Sequence, residues 1–176
     1  MDATVELLVE HGVNGLSIEA VAARAGVAKT TIYRRWPDSN ELALDVLTRL
    51  RGPIVEPPPG QSVRDDLVYL LTRIRAEHTG HVLGRLMPIL VAAGDAHPDL
   101  AEEYLRRAVG PRRELFIDVL RRGVADGVIR PDLDLHLVAE TLIAPVLFGS
   151  WVPSGPRVQV EQIPDMVDLI LAGVAQ

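Results

Sequence analysis

The chain has 176 residues, 48% of them hydrophobic, which is enough to bury one large core or two smaller ones. It contains no cysteine, so disulfides and thiolate chemistry are excluded, and the absence of a signal peptide or of an apolar run long enough to cross a bilayer predicts a soluble, cytoplasmic protein. The net charge of -6 runs against a nucleic-acid partner, and residues 1–50 do not reverse it, with five Lys/Arg against seven Asp/Glu.

A first short helix is predicted over residues 3–10, with Val5, Leu7, Leu8 and Val9 apolar and a stop at Gly12. It begins abruptly, without the basic leader that often precedes such a helix. Residues 16–36 carry the densest information. Ile18, Val21, Ala22 and Ala25 follow a helical period, Gly26 interrupts it, and a second short period runs through Val27, Thr31, Ile32 and Trp36.

That is the pattern of a helix-turn-helix. Ala22 is small where two backbones must approach, Gly26 supplies the turn, and Ile32 plugs the gap. Ser17 suits the N-cap, and Glu19 suits the dipole of the first helical turn. The outward side of the second helix then bears Lys29, Thr30, Tyr33 and Arg34, a mixture of cation, hydroxyl and phenol suited to phosphates and base edges. Any three-helix domain can contain a small-residue crossing, so it is the four polar residues on one short helix that favour DNA. Lys29, Arg34 and Arg35 also concentrate positive charge there, while Glu6, Glu10 and Glu19 lie earlier.

Asp38 and Glu41 have capping-box spacing before a fourth helix through Leu42, Leu44, Val46, Leu47 and Leu50. This helix is expected to connect the DNA-reading unit to the rest and to act as its lever. Residues 52–61 are a proline-rich loop. Ser62 and Asp65 restart a helix carrying Val63, Leu67, Leu70, Leu71 and Ile74, which Gly80 ends, and a further helix covers residues 82–92. Pro98 fits a first helical position. Residues 99–125 read as one long helix with a kink or restart at Gly110-Pro111. Arg112, Arg113, Arg121 and Arg122 flank its apolar stripe, either as a nucleic-acid patch or as a salt-bridged face, with the second reading favoured.

Two strongly apolar helices close the chain, over residues 132–149 and 158–174, separated by Pro153-Ser154-Gly155-Pro156. So aliphatic a hairpin needs cover on more than one side, and the economical cover is the same hairpin of a second subunit. Leu142, Val146, Ile163, Met166, Val167 and Ile170 are the candidate homodimer contacts. The fold expected is all-α with about nine helices: a helix-turn-helix DNA-binding domain over 1–48, then a helical effector-binding and dimerisation domain over 49–176.

At this point the chain resembles the tetracycline-repressor (TetR) family of bacterial transcriptional regulators. The likeness rests on Gly12, Gly15-Leu16-Ser17, Val21-Ala22, Arg24-Ala25-Gly26-Val27, Thr30-Thr31-Ile32-Tyr33 and Trp36 through Leu42. More weakly, it rests on Arg130-Pro131-Asp132-Leu133-Asp134 before a penultimate helix. The resemblance implies a homodimer on a palindromic operator and a C-terminal cavity whose small-molecule occupant releases the DNA. It makes Lys29, Thr30, Thr31, Tyr33 and Arg34 the DNA-facing residues, places Arg35 where a histidine or arginine is common, and puts Trp36 beneath the three-helix unit. Two positions depart from the pattern. Ala28 replaces a serine or threonine that caps the recognition helix, and Ser39 replaces a lysine that touches phosphate.

The cavity implied is assigned to Ile74, His78, Leu83, Leu86, Met87, Phe116, Leu120, Ile143 and Phe148, for an effector that is mostly apolar, each of these also suiting ordinary core. His78 is the expected polar contact. A metal pair of His78 and His81 is disfavoured by the intervening Gly80, and neither metal nor cofactor is expected. No phosphate loop, HExxH, nucleophile elbow or Cys/His arrangement supports an enzyme. The expected function is ligand-responsive repression; the alternative is a dimeric protein-interaction module that has lost sequence-specific DNA binding.

Overall fold

The structure, a computed structural model, describes residues 1–79, 82–151 and 157–175. The helix stop at Gly80, His81 and the Pro153-Ser154-Gly155-Pro156 turn lie outside the described residues. The fold is all-helical: among the described residues there is no strand, only an isolated antiparallel bridge between Ile129 and Ala175. No helix among them is long and apolar enough to cross a membrane.

Helices α1 (Asp2–His11), α2 (Ile18–Ala25), α3 (Lys29–Tyr33), α4 (Ser39–Arg51), α5 (Val63–His78) and α6 (Val82–Ala93) follow the expected order. They are followed by α7 (Pro98–Tyr104), α8 (Gly110–Ala125), α9 (Leu135–Trp151) and α10 (Ile163–Val174). The stretch expected as a single kinked helix is divided between α7 and α8 by a π turn at Leu105–Val109. Pro111 offers no N–H and its ring crowds the preceding turn, and the chain widens just before it rather than breaking. The guanidinium of Arg51, buried at the end of α4, donates to the Ala108 carbonyl at 3.1 Å and lies over the Tyr104 ring.

Several ends are set by the residues the sequence suggests. Ser17 Oγ accepts from Ala20 N at 3.1 Å, Asp38 Oδ1 from Glu41 N at 2.9 Å, and Ser62 Oγ from Asp65 N at 3.1 Å. Pro98 opens α7. Two starts fall later than the periodicity suggests, and both have local causes. Asp134, rather than Asp132, caps α9, its carboxylate accepting from His136 N at 2.9 Å. Pro164 fits only the first turn of α10, so Val160–Gln162 forms a separate 3-10 turn.

The chain packs as two compact units, one of residues 1–53 with 80–109 and the other of 54–79 with 110–176. In the first, α4 packs against α1, α6 and α7, and Leu42, Ala43, Leu44, Val46 and Leu47 are all buried. In the second, α5 packs against α8, α9 and α10 around Leu67, Leu71, Phe116, Leu120, Leu142 and Val167. Gly123 of α8 is required there by close approach: a Cβ would meet Ile129 Cδ1 at 2.7 Å. The four α8 arginines form a salt-bridged face. Arg113 pairs with Glu140 at 3.0 Å, Arg121 with Asp118 at 2.8 Å, Arg112 with Glu77 at 3.9 Å, and Arg122 with the buried Asp66.

Candidate nucleic-acid interface

The turn between α2 and α3 is built by backbone chemistry. Gly26 sits at φ 66°, ψ 32°, in the left-handed region that favours glycine. Its N–H donates to the Ala23 carbonyl at 3.4 Å and the Val27 N–H to the Ala22 carbonyl at 3.1 Å, the paired bonds of a Schellman stop. No atom lies within 4 Å of where a Cβ would stand, so the glycine is there for its dihedral angles and not for space. Ala22 and Ile32, the small residue at the crossing and the plug, are both buried.

With Ile32 turned inward, the remaining face of the short helix points to water. Lys29, Thr30, Thr31, Tyr33, Arg34 and Arg35 are all exposed, so one surface presents every residue expected to face DNA. Arg35 lies over the Trp36 ring at 4.9 Å. The half-buried Trp36 donates its indole N–H to Asp45 Oδ2 at 3.0 Å, tying the chain just after α3 to α4. Arg49 also binds Asp45, at 2.8 Å. Against the cost of burial, the hydrogen bonds from Arg49 and Trp36 keep the Asp45 carboxyl below its ordinary pKa.

Sequence reasoning missed the clamp behind this surface. Arg24 of α2 reaches Glu6 at 3.1 Å and Glu10 at 2.8 Å on α1, and those hydrogen bonds raise its pKa and lower that of Glu10. The spacing of Glu6 and Glu10, one helical turn apart on α1, was the available signal. Ala28 caps α3 without a side-chain acceptor, as its identity requires. Ser39 opens α4, whose Glu41 amide is occupied by Asp38.

The other expected site residues are distributed differently. Ile74, Phe116, Leu120 and Ile143 join one apolar cluster in the second unit, where His78 is also buried and its Nδ1 lies 2.9 Å from the Ile74 carbonyl oxygen. Leu83, Leu86 and Met87 are buried in the first unit, so the expected lining is not gathered in one unit. Phe148 is 54% exposed and stands on an outer face. Of the expected dimer contacts, the protomer's own core takes Leu142, Val146, Ile163 and Val167, while Met166 and Ile170 are half-buried against it. The outward stripe of α9 is instead Leu137, Thr141, Ala144 and Phe148, with Leu169 outward on α10.

A buried plug, a left-handed turn and a polar outward helix of this kind define a helix-turn-helix DNA-binding protein. The family description "Bacterial regulatory proteins, tetR family" matches residues 1–46, and "Tetracyclin repressor-like, C-terminal domain" matches residues 57–170. An HTH-type transcriptional regulator of Mycobacterium tuberculosis is 30% identical over 168 residues, spanning 96% of this chain and 82% of its own. The regulator YdeS of Bacillus subtilis is 28% identical over 177 residues, spanning 99% of this chain and 87% of its own. Among solved structures, the TetR family transcription regulator SCO0332 is 32% identical and superposes with a TM-score of 0.72, covering 99% of this chain and 95% of that one. The chain belongs to the TetR family of transcription regulators and carries that family's helix-turn-helix DNA-binding domain.

Proposed function

We propose that the protein is a ligand-responsive repressor that binds a palindromic operator as a homodimer. The observation that carries this reading is the outward face of α3, where Lys29, Thr30, Thr31, Tyr33, Arg34 and Arg35 are exposed around the buried Ile32. Two such helices related by a two-fold axis enter successive major grooves with half-sites about 34–36 Å apart, or farther where the dimer spaces them wider. Residues 1–48 perform the reading and residues 49–176 the pairing and sensing.

The pairing surface is the α9–α10 hairpin. Leu137, Thr141, Ala144 and Phe148 recur at helical spacing on its exposed side, and Leu169, 75% exposed, adds to them. A row of this kind is unusual on a monomer surface and is suited to a self-complementary contact. The effector is a mostly apolar small molecule that takes the region of Ile74, His78, Phe116, Leu120 and Ile143, with His78 as its polar contact. Its preference for one arrangement of the body lowers operator affinity, and the coupling is reciprocal. Calorimetric binding of a releasing ligand unchanged by His78→Ala would exclude that contact.

Selection from a random duplex pool tests the reading. An enriched palindrome, bound less tightly at higher salt and lost with Tyr33→Ala or Lys29→Ala, supports it. No enrichment by a folded dimer turns the weight to the protein-interaction alternative.

A further inference from the structure

The DNA-reading region is poor in available positive charge, and its ion pairs reduce that further. Arg24 is held by Glu6 and Glu10, whereas Arg35 lies over the Trp36 ring. Lys29, the first residue of α3, is held by Glu19: its Nζ lies 3.1 Å from Glu19 Oε1, with the two side chains 56% and 52% exposed. The hydrogen bond from Lys29 keeps the Glu19 carboxyl below the usual carboxylate range. Arg34 is the one cation of the α3 surface without an intramolecular partner among the described residues.

We propose that Glu19 is a specificity-determining residue of the DNA interface, which suppresses sequence-independent binding by competing with phosphate for Lys29. The inference rests on the reading of α3 as the recognition helix. Non-specific binding is almost wholly phosphate attraction and counterion release. For Lys29 to contribute there it must exchange one ion pair for another and leave a carboxylate beside the phosphates, so its net contribution to counterion release is near zero. On the operator, Lys29 at the start of α3 faces base edges, whose acceptors are uncharged, and the pair with Glu19 persists and orients the ammonium. Glu19 thus costs the wrong complex more than the right one, which is how a repulsive element produces discrimination. It acts through Lys29 and is a positioning residue, exposed and free of any core role.

The test is a double-mutant cycle read as salt dependence, using the full chain on a random-sequence duplex and on the selected operator. Glu19→Gln should steepen the slope of log K against log salt on the random duplex by about 0.9, the increment for one added phosphate contact. It should change operator binding less, so that the ratio of the two affinities falls. Glu19→Asp should keep the original slope, and Glu19→Gln should have no effect on the random duplex once Lys29 is alanine. An unchanged slope on random DNA, or the same Glu19→Gln effect in the Lys29→Ala background, overturns the inference. Arg34→Ala, measured alongside, separates the two levels. If it weakens operator binding while Glu19→Gln does nothing, only Glu19's role fails; if neither it nor Lys29→Ala matters, the reading of α3 fails with it.

Discussion

Helices α3 and α9 both leave a candidate functional face outward, yet only α3 shows in its sequence which way outward is. In α3 a single apolar residue, Ile32, is surrounded by polar ones, so the buried side is fixed by contrast. In α9 nearly every position is apolar, and the residues facing the protomer core resemble those left exposed. A polar functional surface contradicts the hydrophobic pattern around it and is therefore visible, whereas an apolar one merges with the core it adjoins. This is why Leu142 and Val146, which the protomer buries, carry the same signal in the sequence as Leu137, which it leaves exposed.

The largest expected effect tests the assignment of the two α9 faces. Leu142→Ala, at a fully buried position, should lower stability to urea by about 2–5 kcal/mol. Leu137→Ala, at a position 66% exposed, should stay within about 0.5 kcal/mol in solutions dilute enough to separate protomers. Its effect should appear instead as a weaker dimer in sedimentation. A second comparison sets Arg34 against stability: Arg34→Ala should cost operator binding about 1–3 kcal/mol, measured by fluorescence anisotropy, and leave the melting temperature unchanged.

A smaller gain is expected at Ala28, whose backbone already has the extended N-cap conformation, φ -69° and ψ 141°. Ala28→Ser should supply the missing acceptor and raise stability by about 1 kcal/mol, read from denaturant midpoints. The smallest effect concerns acid. The hydrogen bond from Arg106, aided by that from Arg107, holds the Glu103 carboxyl at about 2 instead of its ordinary 4.5. A carboxyl depressed in the folded state stabilises it fully above the unfolded value, and this contribution is lost as pH falls from about 4.5 towards 2. Glu103→Gln should therefore flatten that limb of the stability–pH curve, with little salt bridge energy at stake at so solvated a site.

The order of the helices, their polar caps and the turn at Gly26 were legible because each depends on neighbours in sequence. The π turn was only half legible: Pro111 announced a defect, but widening rather than breaking depends on the surroundings, including the Arg51 guanidinium donating to Ala108. That the expected effector lining divides between two units was not legible, for the reason that governs α9. Leu83, Leu86 and Met87 carry the same apolar signal as Phe116 and Leu120, and nothing local says that they pack in a different unit. The Glu19–Lys29 pair spans a turn whose geometry the periodicity alone does not supply.

The most direct test of the central claim is the stoichiometry of the complex with the selected duplex, measured by sedimentation for the native chain and for Phe148→Glu. Two protomers per palindrome for the native chain, with the variant folded but monomeric and binding the full site weakly, is the predicted result. One native protomer per duplex, or a variant that pairs and binds as the native chain does, would contradict an outward α9 that pairs subunits so that two outward α3 helices can read DNA.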